Sequence, residues 1–334
     1  MIVPTLARLL IREHIYRPIQ GKVLTLGRQT IAMSYEQTIA VLSQEGYTPS
    51  EQALRQVAST NDMITRVGKG TNFITDEAFF GLLGIKELLV LDVSSYEGAQ
   101  IVHNLNEPIP ESLCGQFDFL IDGGTFDHLF DIRVAFENVV KLLKVGGRVF
   151  QWNAASNFTG VAYLSFGPDL FYDYFILNQF TDCKVYVVEV DDISQSELWD
   201  FYEYEGAAKY DHFRSERIQM VVVLAEKGPH SIYHRYPIQA QYRDQLSLKS
   251  YESGKENAQK GDRELFVREI TLSLNESARD ARGLGARIMS IKRRTPTCLK
   301  RKIPLKLKKL VHALLQDETV RVKKIEGYRY VGRL

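Results

Sequence analysis

Cysteine is scarce: Cys114, Cys183 and Cys298 are the only three in 334 residues, far apart and with no Cys-x-x-Cys pair. That argues against a zinc knuckle or a redox motif, and so few thiols suit a reducing compartment. Excess charge is also lacking, with 42 Lys and Arg against 41 Asp and Glu for a net +1. The opening stretch MIVPTLARLLIREHIYRP holds an apolar run of only Leu9 to Ile11 before Arg12 and Glu13. This is too short for a signal-peptide core or a membrane span. No fixed-period repeat and no cluster of metal ligands is visible. What is present is an ordinary globular balance, 45% hydrophobic and 25% charged, which disfavours a disordered, collagen-like or repeat chain. The length fits one large domain with an appendage, or two small domains. A soluble, cytoplasmic protein is the expectation.

Thr5 to Tyr16 has helical spacing, ended by Pro18. Gly21-Lys-Val-Leu-Thr-Leu-Gly27 reads as a buried strand bounded by glycines, and Ser34 with Gln37 opens a helix in the manner of a capping box. Thr48-Pro49-Ser50-Glu51 predicts another helix, with Thr48 as its cap, running to about Ser59. Asp76 to Leu83 predicts a short helix stopped by Gly84. Further strands are predicted at 88–92, 100–104, 117–122, 148–152, 184–190 and 218–225, with helices at 132–143 and 170–180. Strands separated by helices predict an α/β fold, a doubly wound, seven-stranded, mostly parallel sheet between residues 20 and 227. The last two strands, joined without a clear helix, are expected to pair antiparallel. In such a sheet the ligand lies outside the carboxyl ends of the strands.

The near-zero charge hides an asymmetry. Residues 290–334 carry 14 Lys and Arg against three acids, a local +11, which leaves −10 on residues 1–289. The predicted organisation is an N-terminal helix (1–19), the α/β domain (20–228), a polar extension (229–289) with a flexible link at 253–263, and a basic C-terminal tail (290–334). Within the tail, 304–315 is a Pro-started amphipathic helix with Leu307, Leu310, Val311, Leu314 and Leu315 on one face and lysines beside it. An anionic membrane surface is one partner for such a helix; docking back on the acidic domain is another, and nucleic acid is disfavoured for want of stacking aromatics and a recognisable module.

Three pieces of the chain together resemble the class I S-adenosylmethionine-dependent methyltransferases. GKVLTLG (21–27) is similar to the family's first strand and cofactor turn, and LLVLD (88–92) to its second strand with a terminal acid. FDFLIDGGTFDHLFDIRVAFENVVKLLKVGGRVF (117–150) is similar to the fourth strand, following helix and fifth strand. The resemblance implies a Rossmann-like fold and S-adenosylmethionine as cofactor. Residues implied to line its site are Gly27, Arg28, Gln29 and Thr30 after the first strand, and Asp92 and Val93 after the second. Asn104 and Leu105 beside the adenine complete that set, with Asp122, Gly123 and Gly124 under the methionine part. Asp92 fits a general rule as well, since a carboxylate ending the second strand accepts the hydroxyls of a ribose. The family's first motif has an acid two residues before its first glycine and two more glycines at alternate positions; this chain has Thr25, Gln29 and Ile31 there.

The implied reaction is methyl transfer from a sulfonium to a hydroxyl or similar nucleophile of a small molecule or glycan, with His128 as base and Asp127 beside it. No metal is called for. Residues 152–180 resemble the acceptor region of methyltransferases associated with bacterial surface-polysaccharide assembly, which implies Asn153, Asn157 and Tyr163 as acceptor contacts. Asn157 reads equally as a turn residue, and Asp127 as a helix cap. The alternative function is a methyltransferase-like binding or adaptor protein without catalysis, using its basic tail for a membrane or nucleic acid.

Overall fold

In the computed structural model the described residues are 1–57, 61–191, 199–206, 213–259 and 328–333. Residues 260–327, with the end of the expected link, the amphipathic segment 304–315 and most of the basic tail, lie outside them. Among the described residues a single sheet of nine strands runs β3-β2-β1-β4-β5-β8-β6-β7-β9. The strands are β1 (Lys22–Leu26), β2 (Glu87–Asp92), β3 (Ile101–Val102), β4 (Phe117–Asp122), β5 (Leu143–Ser156), β6 (Thr181–Val190), β7 (Asp200–Tyr204), β8 (Ile218–Glu226) and β9 (Tyr328–Arg333). β1 to β5 are mutually parallel, and every pairing beyond β5 is antiparallel.

Two strands therefore exceed the seven expected. β7 is the five-residue run DFYEY, too short and too acidic to read as a core strand, yet it pairs β6 along its length. β9 comes from the last residues of the chain and pairs β7, so the tail's end belongs to the sheet. The expected antiparallel pairing of 184–190 with 218–225 is present, but inside the sheet: β8 inserts between β5 and β6. The third strand shrinks to two residues.

Helices α1 (Pro4–Tyr16), α2 (Tyr35–Gln44), α3 (Glu51–Val57) and α4 (Asp76–Leu82) pack on one face, with α5 (Ile132–Leu142), α6 (Pro168–Leu177) and α7 (Gln245–Ala258) on the other. Strand alternation sorts the core accordingly: Phe119, Ile121, Phe150 and Trp152 face the first layer, while Leu24, Leu120 and Val149 face the second. The starts follow local chemistry. Ser34 and Gln37 make the reciprocal capping box, Thr75 caps α4 and Asp131 caps α5. The third helix starts later than its Thr-Pro signal suggests, because Ser50 is the residue whose hydroxyl accepts from Ala53 N–H.

At the amino ends of the strands, α1 is tied down by charge. Glu13, buried, pairs with Arg148 of β5 and lies 3.7 Å from Lys184 of β6. Arg148 also donates to the carbonyls of Arg17 and Pro18, at 2.8 and 3.2 Å. Ions this deep are tolerated only when paired, and removing one partner costs about 3–5 kcal/mol.

The polar extension folds onto α6. Tyr174 Oη donates to Tyr233 O and Asn178 Nδ2 to Arg235 O, while Arg243 pairs with Asp173 and stacks over the Tyr251 ring at 3.4 Å. Residues 253–258, expected within a flexible link, are the last turns of α7. The reason is Gly254, which lets α7 touch the α6 backbone: a Cβ there would lie 2.1 Å from Ile176 O. Among the described residues no helix is long and apolar enough to cross a membrane.

Gly254→Ala should therefore separate α7 from α6. The expected result is an unfolding free energy, from denaturant titration, lower by about 1–3 kcal/mol as for an overpacked core, while Gly70→Ala, whose Cβ would meet no atom within 4 Å, tests the smaller cost of its left-handed backbone alone.

Candidate functional site

The strand order reverses between β1 and β4, and in sheets of this kind the crevice for a ligand lies outside the carboxyl ends of the strands at that point. Their ends are stapled directly: Thr125 Oγ1 donates to Leu26 O at 2.7 Å. Gly27, at φ +69°, turns the chain after β1, and a Cβ there would lie 3.4 Å from Thr125 Oγ1 and 3.7 Å from Asp92 Oδ2. A left-handed glycine is thus set between the carboxylate ending β2 and the turn following β4. Asp92 receives only a 3.3 Å bond from Ser94 N–H, on Oδ1. Its other oxygen faces the crevice side of Gly27.

The floor rests on Asp122. This carboxylate is fully buried and accepts four donors: Thr125 N–H (2.8 Å) and Phe126 N–H (3.4 Å) on one oxygen, Gln151 Nε2 (3.0 Å) and Asn153 Nδ2 (2.7 Å) on the other. Burial raises its pKa to about 6 despite the donors. Asn153 Oδ1 in turn accepts from Asp127 N–H at 3.3 Å. Asp127 Oδ2 accepts from Ala154 N–H, and its carbonyl accepts from Tyr163 and Leu164 N–H at 2.9 and 3.0 Å. Asp127 Oδ1 is buried with no hydrogen-bond partner. His128 Nε2 stands 3.7 Å from it, too far for a hydrogen bond but well placed for an ion pair with a protonated ring. Burial raises the Asp127 pKa, opposed chiefly by the His128 charge.

Gln29 is the residue whose role the sequence pattern does not foretell. Its Nε2 folds back to Leu26 O and Gly27 O, at 3.2 and 3.1 Å. Its Oε1 lies against Gly123, where a Cβ would come within 2.0 Å of it and 2.7 Å of Trp152 Cζ2. The Met1 amino group donates to Gln29 Oε1 (3.2 Å) and Gly123 O (3.3 Å). Burial lowers that amine's pKa to about 6, against the pull of Asp122 and Asp127. Gln29 Oε1 and Gly123 O thus converge on one cation, the chain's own amino group, which Asp127 favours only through its charge.

Gly27, Gln29, Asp92, Asp122, Gly123, Gly124, Asp127 and His128 are brought together at this crevice. Thr30 is buried beneath it, its carbonyl accepting from Ile2 N–H. Others have different employment. The Arg28 guanidinium is spent on Asp76 (2.7 Å) and Glu77 of α4. Asn104 Oδ1 accepts from Asn106 N–H and Nδ2 at 3.1 and 3.0 Å. Leu105 is core, Val93 is exposed, and Asn153 is buried in the Asp122 network. Asn157, at φ +62°, donates to Arg217 O at 2.6 Å, the turn role its sequence context also allows. Of the three acceptor-side residues Asn157 and Tyr163 are exposed, Tyr163 at 86%. Thr125 and Gln151 were not singled out from sequence; both act through contacts 26 or more residues away, which no local pattern carries.

No known family profile and no curated protein matches the chain. Solved structures similar to it include the citrinin polyketide synthase CMeT domain, at 11% identity and TM-score 0.34, over 67% of this chain and 52% of that one. A SAM-dependent methyltransferase of Thermotoga maritima, described as a possible histamine N-methyltransferase, is 15% identical with TM-score 0.33, over 67% and 91%. The O-methyltransferase of a trans-AT polyketide synthase from Brevibacillus brevis, in complex with S-adenosyl-L-homocysteine, is 11% identical with TM-score 0.35, over 76% and 77%. This chain spans about half the length of the first of these. At such scores the likeness speaks for neither activity nor ligand, and the chemistry is argued from the crevice.

Two outcomes follow from the floor. Gly123→Ala should disturb both Gln29 and the rigid Trp152 ring, lowering thermal stability and any affinity of the crevice together. For Asp122, a raised folded pKa means a stabilising contribution complete below the unfolded value of about 4 and lost as pH rises through about 6. The unfolding free energy followed from pH 4 to 6 should carry this decline in the parent protein, and the decline should be smaller in Asp122→Asn.

Proposed function

We propose that the protein transfers a methyl group from S-adenosylmethionine to a hydroxyl or similar nucleophile of a small molecule. The observation that carries this reading is an underused carboxylate at Asp92, ending β2, beside the left-handed Gly27 turn at the point where the strand order reverses. The donor molecule presents a ribose diol at one end and an ammonium and sulfonium at the other. Asp92 suits the diol. Gln29 Oε1 and Gly123 O, which hold the Met1 ammonium, suit the cationic end once that amine moves aside.

The fit is tested by the geometry of the turn itself. Gly27 leaves room for close approach, and the cation spot is built without any ligand from the reaction. Gln29, by contrast, takes the Leu26 and Gly27 carbonyls that would face the ligand, so the cationic end must be read by Gln29 Oε1 rather than by the bare turn. When bound, the sulfonium supplies a methyl group on a good leaving group, so positioning does most of the catalysis. His128 removes the acceptor's proton, and Asp127 stabilises the imidazolium at 3.7 Å. The glycan class of acceptor has little support here, since Asn153 and Asn157 are committed elsewhere.

Calorimetry with S-adenosylhomocysteine and S-adenosylmethionine tests the reading. Both should bind, and Asp92→Ala should weaken binding about tenfold or more through the loss of charge-assisted hydrogen bonds. No heat of binding at millimolar ligand would leave the fold as a scaffold and hand the function to an adaptor role of the basic tail.

A further inference from the structure

Arg28 follows the Gly27 turn, and its side chain is only 4% exposed. The guanidinium reaches two parts of the molecule at once. Nη1 pairs with Asp76 at 2.7 Å and with Glu77, at the start of α4. Nη2 donates to Gly98 O at 3.4 Å, in the loop that follows Asp92. Packing does not order that loop, because residues 93–96 are exposed. Hydrogen bonds do: Ser94 N–H donates to Asp92 Oδ1 and Tyr96 N–H to Ser94 Oγ, both at 3.3 Å, and Gly98 N–H to Ser95 O at 3.0 Å. The loop then turns through two consecutive left-handed residues, Glu97 at φ +57° and Gly98 at φ +73°. Glycine adopts this backbone freely; glutamate keeps it only where its surroundings impose it. Contacts from outside the loop do so here. Arg66 N–H donates to Glu97 Oε1 at 2.6 Å, and Arg28 holds the Gly98 carbonyl.

We propose that Arg28 is a positioning residue for the ligand's diol: by fixing Gly98 it holds the loop in which Ser94 N–H engages Asp92 Oδ1 and leaves Oδ2 to the ligand. Arg28 acts through Asp92 and touches no ligand itself. The inference rests on the methyl-transfer reading for the identity of that ligand, while the hold on the loop is a property of the free chain. The role calls for arginine. A planar fork meets the acids of α4 with one nitrogen and the Gly98 carbonyl with the other, whereas lysine brings its charge to a single point. Arg28→Lys therefore keeps a cation against Asp76 and Glu77 and drops the tie to Gly98.

Hydrogen exchange of the ligand-free full chain, followed by NMR, is the direct test. In Arg28→Lys the Ser94 and Gly98 amides should exchange about tenfold faster than in the parent, while amides of β1 and β4 keep their protection. Calorimetry with S-adenosylhomocysteine then completes a double-mutant cycle. Arg28→Lys should weaken binding about fivefold in the parent and add nothing in an Asp92→Ala background. A merely structural role would weaken both backgrounds alike. Glu97→Gly loosens the same loop without touching the ion pairs of Arg28, so it should reproduce the loss of affinity even where Arg28→Lys folds poorly. Unchanged exchange at Ser94 and Gly98, equal losses in the two backgrounds, or full affinity in Glu97→Gly overturns the proposal. Failure of S-adenosylhomocysteine to bind the parent counts against methyl transfer instead, and the exchange measurement then decides the role of Arg28 by itself.

Discussion

A carboxylate sealed away from water is the constraint around which the crevice is organised. Asp122 has no solvent to satisfy it, so it must collect donors, and the four it collects come from two places: the Gly-Gly turn's far side at Thr125 and Phe126, and the β5 side chains Gln151 and Asn153. Each bond fixes something else. The two backbone donors set the direction of the chain leaving β4, Asn153 carries the order on to Asp127, and Asp127 pins the loop bearing Tyr163. A neutral residue at position 122 would leave several buried donors unmatched, at about 1–3 kcal/mol apiece.

The opposite end of the sheet solves a different problem with similar means. There Glu13, Arg148 and Lys184 form a paired cluster that clamps α1 across β5 and β6. Asp182, 3.0 Å from Lys184 Nζ, completes the balance of charge there, and because Glu13 Oε2, like Asp127 Oδ1, is buried without a hydrogen-bond partner, it is position at the strands' carboxyl ends that sets Asp127 and Asp92 apart. The contrast separates charge used to hold the fold from charge left available for a ligand. Buried ion pairs are weak evidence of function; incompletely satisfied acceptors at a topological switch point are stronger evidence.

Much of this was legible in the sequence where structure is dictated locally. The parallel strands β1, β2 and β4 are short apolar runs between glycines and acids, and the cap at Ser34 is written in its own four residues. The edge strands were not legible. β7 carries alternating acids and aromatics, and its stability comes from pairing β6 and a strand more than 120 residues later. α7 was hidden for a related reason: its polar composition reads as a link, and only the contact of Gly254 with Ile176 O reveals a docked helix. In the site, Gly27, Asp92 and the Asp122-Gly-Gly turn could be placed from strand ends alone. Which side chains remain available could not, because Asn157 and Arg28 are consumed by partners 60 and 48 residues away.

The missing glycines at positions 29 and 31 are where sequence and structure bear most closely on each other. Their loss need not abolish the turn, because its shape is maintained by other contacts. Gln29 donates to the two carbonyls at the strand's end. Ile31 is fully buried and bridges Ile2, with Ile2 N–H donating to Thr30 O and Ala32 N–H to Ile2 O. Residues 2 and 29–32 therefore brace a loop that glycines would otherwise leave to its ligand to order. A loop ordered in advance loses less conformational entropy when it binds, but it has already committed its own carbonyls. Gln29 Oε1 and the Gly123 carbonyl in turn hold the Met1 amino group, so the side chain that stands in for a glycine ties the turn to the segment before α1.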